Sequence, residues 1–222
     1  MSDGDIRIGR GAQDVWLRLA MANRHGLIAG ATGTTYVLQA ADAGSTVRVR
    51  VTASNAGGPG TPVESAQTGV VAAVVNLAPD PGFEANPSTT HFTNGTGTFT
   101  WATDQALSPT HSLKIVNAGS GLIRWMTNNG SVTATAGTSY TVSGWLRTSA
   151  VGGSAVVTLT FWNASNQFID SADSTTVSGT TASWTQVTRT VTAPAGTAWV
   201  RIEYRLTGSG TAWFDDVVLQ KN

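Results

Sequence analysis

The sequence predicts an all-β protein built as two domains, and three observations carry that prediction. Glycine, threonine, serine and valine are abundant while long helix-forming runs are scarce, a composition that favours pleated, half-buried chain over helix. Apolar and polar residues alternate with period two in several segments, the spacing that sends successive side chains to opposite faces of a strand. Turn signals separate those segments, at Asn94-Gly95, Asn129-Gly130 and Gly152-Gly153.

A chain of 222 residues is long enough for two domains whose cores need no covalent staples. Cysteine is absent, which excludes disulfides and thiolate metal sites. Thirteen basic side chains balance thirteen acidic ones, and lysine occurs only at Lys114 and Lys221. With no basic patch, nucleic acid and anionic membrane are poor partners. No segment approaches the roughly 20 apolar residues of a membrane helix. The first ten residues also lack the apolar stretch of a Sec-type export signal.

The domain boundary is expected at Val74 to Asn76, where a Val/Ala-rich strand gives way to the turn-rich segment that opens at Asn76. This divides the chain into residues 1–74 and 75–222. In the first part, Asp42 and Gly44 form a turn into a strand in which Val47, Val49 and Val51 face one way and Arg48 and Arg50 the other. Gly30 to Leu38 and Ala41 to Gly58 resemble the immunoglobulin-like repeats of bacterial surface and phage proteins. Residues 1–29 depart from that pattern. Trp16 fits a middle strand and Asn23-Arg-His-Gly26 a hairpin turn, but little chain remains for the first two strands. An incomplete immunoglobulin-like sandwich leaves an open edge, which folded proteins normally cover. Two ways of covering it stand open. Residues 1–12 or a neighbouring chain complete the sheet by strand addition, or Asp5-Ile-Arg-Ile-Gly9 serves as the domain's own edge strand.

In the second part the alternation is explicit. Along Tyr140 to Arg147, residues Tyr140, Val142, Gly144 and Leu146 point to the core, and Thr141, Ser143, Trp145 and Arg147 point away. Val157, Leu159 and Phe161 point inward from the next run, with Thr158, Thr160 and Trp162 outward. Val200, Ile202, Tyr204 and Leu206 form the apolar set of a third, opposite Trp199, Arg201, Glu203 and Arg205. Five motifs follow in order: Asn76-Leu-Ala-Pro-Asp-Pro-Gly-Phe-Glu84, Ser108-Pro-Thr-His-Ser-Leu-Lys-Ile115, Ala136-Gly-Thr-Ser-Tyr-Thr-Val-Ser-Gly-Trp145, Ser183-Trp-Thr-Gln-Val187 and Trp213-Phe-Asp-Asp-Val-Val-Leu219. Together they resemble the family 4, 9 and 22 group of carbohydrate-binding modules. The resemblance implies a jelly-roll β-sandwich over residues 76–219, and with it a non-catalytic binding role.

Candidate sites follow from the residue types. A Trp sharing a strand face with Arg, Glu and Thr suits a ligand with apolar faces and hydroxyl edges, as sugars have. Trp145, Trp162 and Trp199 are therefore candidate stacking groups, with Arg147, Arg201 and Glu203 bonding hydroxyls. The competing readings are a protein interface and Trp rings that cover Arg stems by cation–π contact. Trp125 could join the groove, while its parity with Ile123 points towards the core. Trp101 and Trp184 match the family's buried tryptophans.

Glu84, Asp215 and Asp216 form a second set. The resemblance implies a structural calcium between the opening segment and the last strand, which hard carboxylate oxygens suit. The alternative is a carboxylate capping backbone N–H groups. His25, His91 and His111 stand in separate segments with neither metal-ligand nor triad spacing. Glu84 and Glu203 are a carboxylate pair for glycoside hydrolysis by residue type alone. Asn94-Gly-Thr96 and Asn163-Ala-Ser165 are formal glycosylation triplets that read as turns.

The expectation from these residues is a non-catalytic binding or assembly protein. Exterior-type domains without an export signal suit a phage virion surface protein, a capsid decoration or tail component. In that reading residues 1–74 dock on the larger assembly and the jelly roll meets polysaccharide. The alternatives are an extracellular carbohydrate-binding module of a secreted polysaccharide-degrading enzyme, and a structural cement with no sugar ligand.

Overall fold

The structure is a computed structural model that describes residues 6–9, 15–17, 42–55, 58–71 and 75–222. It divides into two compact units, Met1–Val74 and Val75–Asn222.

In the first unit, β1 (Ile6–Gly9), β2 (Val15–Leu17), β3 (Arg50–Asn55) and β4 (Gly58–Pro59) follow one another across a sheet, and β5 (Val63–Glu64) pairs with β3. β2 lies between β1 and β3, so Trp16 is on a middle strand, and Ile6 to Gly9 supplies the strand at the end of the order. The turn at Asp42 is closed by the Ser45 amide donating to the Asp42 carbonyl, with Gly44 at φ +80°. Arg48 and Arg50 are exposed and both pair with Glu64. Gly30 to Leu38 and the hairpin at Asn23 to Gly26 lie outside the described residues.

The second unit is an antiparallel sandwich. One sheet of seven strands runs in the order β13 (Phe168–Asp173), β12 (Val151–Trp162), β16 (Trp199–Thr207), β9 (Leu122–Thr127), β6 (His91–Asn94). β10 (Val132–Thr133) pairs with β16, and β14 (Val177–Gly179) with β12. The other sheet has five strands, β15 (Thr185–Thr192), β11 (Ser139–Ser149), β17 (Gly210–Lys221), β8 (Ser112–Asn117) and β7 (Thr98–Ala102). This is the jelly-roll sandwich that the five motifs imply.

The predicted parity is the observed one. Tyr140, Val142 and Leu146 from one sheet meet Val157, Leu159, Phe161, Val200, Ile202, Tyr204 and Leu206 from the other in a single core, each 0–2% exposed. Burying a side chain of this size contributes about 1.5–3 kcal/mol, so the interleaved inner faces hold the sheets together. Trp125 belongs to the same core and meets Phe99 edge to face. Gly144 lies where the sheets approach closely: a Cβ there would stand 3.3 Å from both Val157 and Val217 methyls.

The predicted turn at Gly152-Gly153 is corrected. Both glycines lie inside β12, and the reversal from β11 occurs at Ala150, whose φ is +52°. Glycine is needed at 153 because a Cβ would sit 2.2 Å from the Thr207 carbonyl oxygen. The spacing identifies a backbone that tolerates no side chain but does not distinguish a turn from a close crossing.

The first motif is clasped to the last. Asn76 Nδ2 donates to the Val217 carbonyl, its Oδ1 accepts from the Leu219 and Ala78 amides, and the Leu77 amide donates to the Leu219 carbonyl. The Val217 amide donates to the Pro81 carbonyl. The unit's two ends are thus one hydrogen-bonded seam.

His91 packs in the core against Phe83 and Tyr204, with Nδ1 bonded to the Thr90 hydroxyl at 2.8 Å. Burial pushes its imidazole from 6.5 down to about 4, so folding favours the neutral ring. That contribution, on the order of 3 kcal/mol, is complete above pH 6.5 and is lost as pH falls towards 4. Asp215 acts oppositely. Burial outweighs its hydrogen bonds and raises it from 3.8 to about 6, so its ionisation reduces stability as pH rises through that window. Thermal melts of His91→Phe should show the wild-type loss of stability between pH 7 and pH 5 abolished or reversed in sign. An unchanged slope would remove His91 as its cause.

Candidate functional site

Because both inner faces are consumed by the core, function falls to the outer faces, and these point in opposite directions. β11 belongs to the five-stranded sheet, whereas β12 and β16 belong to the seven-stranded one. Trp145 and Arg147 therefore do not share a face with Trp162, Trp199, Arg201 and Glu203. The single Trp platform expected from the sequence is corrected on this point: parity defines inside and outside of a strand but not which sheet the strand joins.

On the five-stranded sheet, Trp145 and Arg147 are half-buried and stand opposite Asp215 and Trp213 of β17. The Trp213 indole donates to Asp104 at 3.1 Å, and Lys114 lies 5.1 Å over its ring while bonding Asp104. Asp215 is fully buried. Its oxygens accept from the amides of Leu107, Ser108 and Asp216. It fastens the loop before β8 across this face, which is the backbone-capping role.

The seven-stranded face carries a denser arrangement. Trp162 and Trp199 are directly paired across β12 and β16 and stack at 5.2 Å with planes 9° apart. The Arg201 guanidinium lies 4.5 Å from the Trp162 ring, 5.4 Å from Trp199 and 5.3 Å from Phe92. The Asn163 to Gln167 hairpin holds this cluster. Asn163 Oδ1 accepts from the Ser165 and Gln167 amides, and its carbonyl accepts from the Trp199 indole, so the triplet at Asn163 is a turn. Trp199 is 5% exposed and Arg201 7%. The solvent-facing aromatic surface is Phe168 at 55% and Phe92 at 38%, with half-buried Trp162 between supports.

Next along the strands stands Glu203, 2% exposed. It meets Arg205 Nε at 2.9 Å, Arg124 Nη1 at 3.1 Å and Arg201 Nη1 at 3.8 Å, and accepts from the Thr160 hydroxyl at 3.4 Å. Arg205 also reaches Asp173. A buried carboxylate so surrounded has its oxygens met by donors and orients the guanidiniums.

Sequence reasoning missed Phe92, Phe168, Arg124 and Asp173. Phe92 and Phe168 sit on short strands at the two ends of the sheet order, where alternation has too few residues to register. Arg124 was visible beside Trp125 but was not brought to the site, because only pairing of β9 with β16 places it opposite Arg205.

Glu84 lies elsewhere. It accepts from the Thr110 hydroxyl at 2.6 Å and from the amides of Thr110 and His111. The Thr110 hydroxyl, opposed by desolvation and helped by these amides, holds its carboxyl down at about 2. Half-buried Trp101 stacks on His111 at 3.9 Å and donates to the Phe83 carbonyl. Trp184 is also half-buried. Gly82 lies between Asp216 and Glu84: a Cβ on it would stand 3.6 Å from Asp216 Oδ1 and 3.9 Å from Glu84 Cγ. Asp215 and Glu84 each already accept three hydrogen bonds, so a calcium would share oxygens that are in use. Among the described residues no group of three or more His, Asp or Glu side chains gathers as a metal site.

Known proteins give the fold its context. The chain is similar to a domain of bacteriophage CBA120 tailspike protein 4, at 15% identity and a TM-score of 0.53, over 66% of this chain and 21% of that one. It is similar to the CBM22-2 xylan-binding domain of Paenibacillus barcinonensis Xyn10C, at 16% identity and a TM-score of 0.50, over 64% of this chain and 98% of that domain. It is also similar to the Clostridium thermocellum xylanase 10B CBM22-1 and GH10 modules, at 14% identity and a TM-score of 0.50, over 64% of this chain and 27% of that one. The chain thus spans about a fifth of the tailspike chain and about a quarter of the xylanase chain. Residues 5–76 match the helicase HerA-like C-terminal family model, which covers less than half of the chain. No curated protein matches the chain in sequence. Residues 75–222 have the carbohydrate-binding-module fold. Among the described residues no helix is long and apolar enough to cross a membrane.

Proposed function

We propose that this protein is a non-catalytic glycan-binding component whose ligand lies on the outer face of the seven-stranded sheet. The observation that carries the reading is the juxtaposition there of solvent-facing Phe92 and Phe168, with Trp162 between, and oriented guanidiniums. Rings stack on sugar C–H faces and guanidiniums bond hydroxyls. Trp199, Arg201 and Glu203 act as the buried support that fixes Trp162 and the arginines. Glu203 is engaged by three arginines, an arrangement that favours orienting cations over transferring protons. Trp145 and Arg147, on the opposite face, take no part in this site.

The setting we favour is a virion surface, in a tail or capsid decoration, with residues 1–74 as the docking part. The likeness to a tailspike domain supports it. An extracellular module of a polysaccharide-degrading enzyme is the second reading, and the likeness to a xylan-binding domain supports that. Calcium, where bound, would be held by Glu84, Asp215 and Asp216 and would pin the opening segment to β17.

In affinity electrophoresis against a polysaccharide panel, Phe168→Ala and Phe92→Ala should each weaken binding about threefold to tenfold, while Trp145→Ala leaves it unchanged. Loss confined to Trp145→Ala would move the site to the other sheet. Light scattering on the native protein should show many copies on a large particle; a clean monomer would sink the virion reading and favour the module. Added calcium should raise the melting temperature of the wild type and leave Asp216→Asn unmoved, whereas identical melts with calcium and with chelator would discard the metal.

A further inference from the structure

The ligand class can be narrowed from the charge built into this face. Arg124 and Arg205 are directly opposed across β9 and β16. Like charges in that position destabilise a sheet. Glu203 beneath offsets part of the cost, and Asp173 takes one further contact from Arg205. On the strands β13, β12, β16, β9 and β6 the outward charges are Arg124, Arg201 and Arg205 against Glu203 and Asp173. That is three positive against two negative, on a chain whose formal charge is zero.

The guanidiniums are also under-used. Arg124 Nε and Arg201 Nε are buried without a partner, so a ligand can be met only by the outward Nη groups. Arg124 makes an ion pair with Glu203, and its side chain is 26% exposed; that of Arg205 is 17% exposed. Planar forks with free N–H groups are the usual partners of carboxylate and sulfate. A neutral sugar requires only single donors and would gain little from an opposed arginine pair.

Position links this pair to the rings. Trp199 and Arg205 lie six residues apart on β16, about 20 Å along a strand. Arg201 and Glu203 occupy the face between them. A chain-like ligand crossing the sheet along β16 would meet stacking groups at one end and the arginine pair at the other. Exposed Leu122 and the Asn94 position opposite Arg124 flank that end.

We propose that this face selects an acidic polysaccharide, with a uronate-type carboxylate seated between Arg124 and Arg205. The inference rests on the glycan reading above and goes further in naming the anionic group. A single ligand carboxylate brings the face to charge balance, which fits a uronic acid repeated along a chain better than a densely sulfated polymer.

The test uses the full chain and matched pairs of polymers: glucuronoxylan, polygalacturonate and alginate, each beside its carboxyl-reduced counterpart. Wild type should bind at least one acidic polymer about tenfold more tightly than its reduced form at low salt, with the preference shrinking as salt screens it. Arg124→Gln should lose most of that preference, weakening the acidic polymer far more than its reduced counterpart, at an unchanged melting temperature. Arg205→Gln provides the second variant should Arg124→Gln not fold. Equal binding of acidic and reduced polymers overturns the anionic inference and leaves the glycan reading standing. Binding to no polymer in the panel overturns both. A preference that survives in both variants places charge recognition away from this pair and overturns the assignment.

Discussion

Two sheets that share one core can each offer only an outer face, and everything functional in residues 75–222 is arranged under that constraint. Phe161, Leu159 and Val157 are spent on the interior, as are Val200, Ile202, Tyr204 and Leu206. Their neighbours at every second position must therefore carry any site. The same rule separates candidates that the sequence groups together. β11 and β12 are consecutive and reverse at a single residue, Ala150, yet belong to different sheets. Trp145 and Trp162 are thereby placed on opposite sides of the molecule by the connection that makes them neighbours in sequence.

Within the seven-stranded face, Glu203 organises what surrounds it. A carboxylate 2% exposed is costly to desolvate unless its oxygens are met by cations and donors. Here Arg124, Arg205, Arg201 and the Thr160 hydroxyl meet it. Arg201 in turn lies over Trp162, whose indole donates to the same Thr160 hydroxyl at 2.8 Å. One carboxyl group thus connects the aromatic end of the face to the arginine end. This network sits on an outer surface, where a plain sandwich needs only scattered polar groups, and stability alone gives no reason to build it.

Much of this was legible in the sequence, and the rest was not for identifiable reasons. The inner and outer sets of β11, β12 and β16 could be read directly, because those strands are 9 to 12 residues long and period two has room to show. The motifs at Asn76 and Trp213 could be read as ends of one fold, and their hydrogen-bonded seam supplies the cause. Strand order could not be read, since it depends on which core faces meet. That hid the opposition of Arg124 and Arg205 and the presence of Phe92 beside Arg201. Asp215 shows the same limit at the scale of one residue. Its neighbour Asp216 has φ +46°, a local irregularity that turns two adjacent carboxylates to different tasks, and a dipeptide of aspartates carries no sign of it.

The choice between the two outer faces is finally an argument about exposure. On the five-stranded sheet, Trp213 is covered by Lys114 and tied to Asp104, and Asp215 draws a loop over the surface. Those contacts close the face on itself. On the seven-stranded sheet, buried groups support Phe168, Phe92 and the Arg124 and Arg205 side chains, which still reach solvent. A surface whose buried layer orients its exposed layer is preorganised for a ligand, because little side-chain freedom remains to be lost on binding. The order of burial, more than the number of tryptophans, is what favours this face as the proposed site.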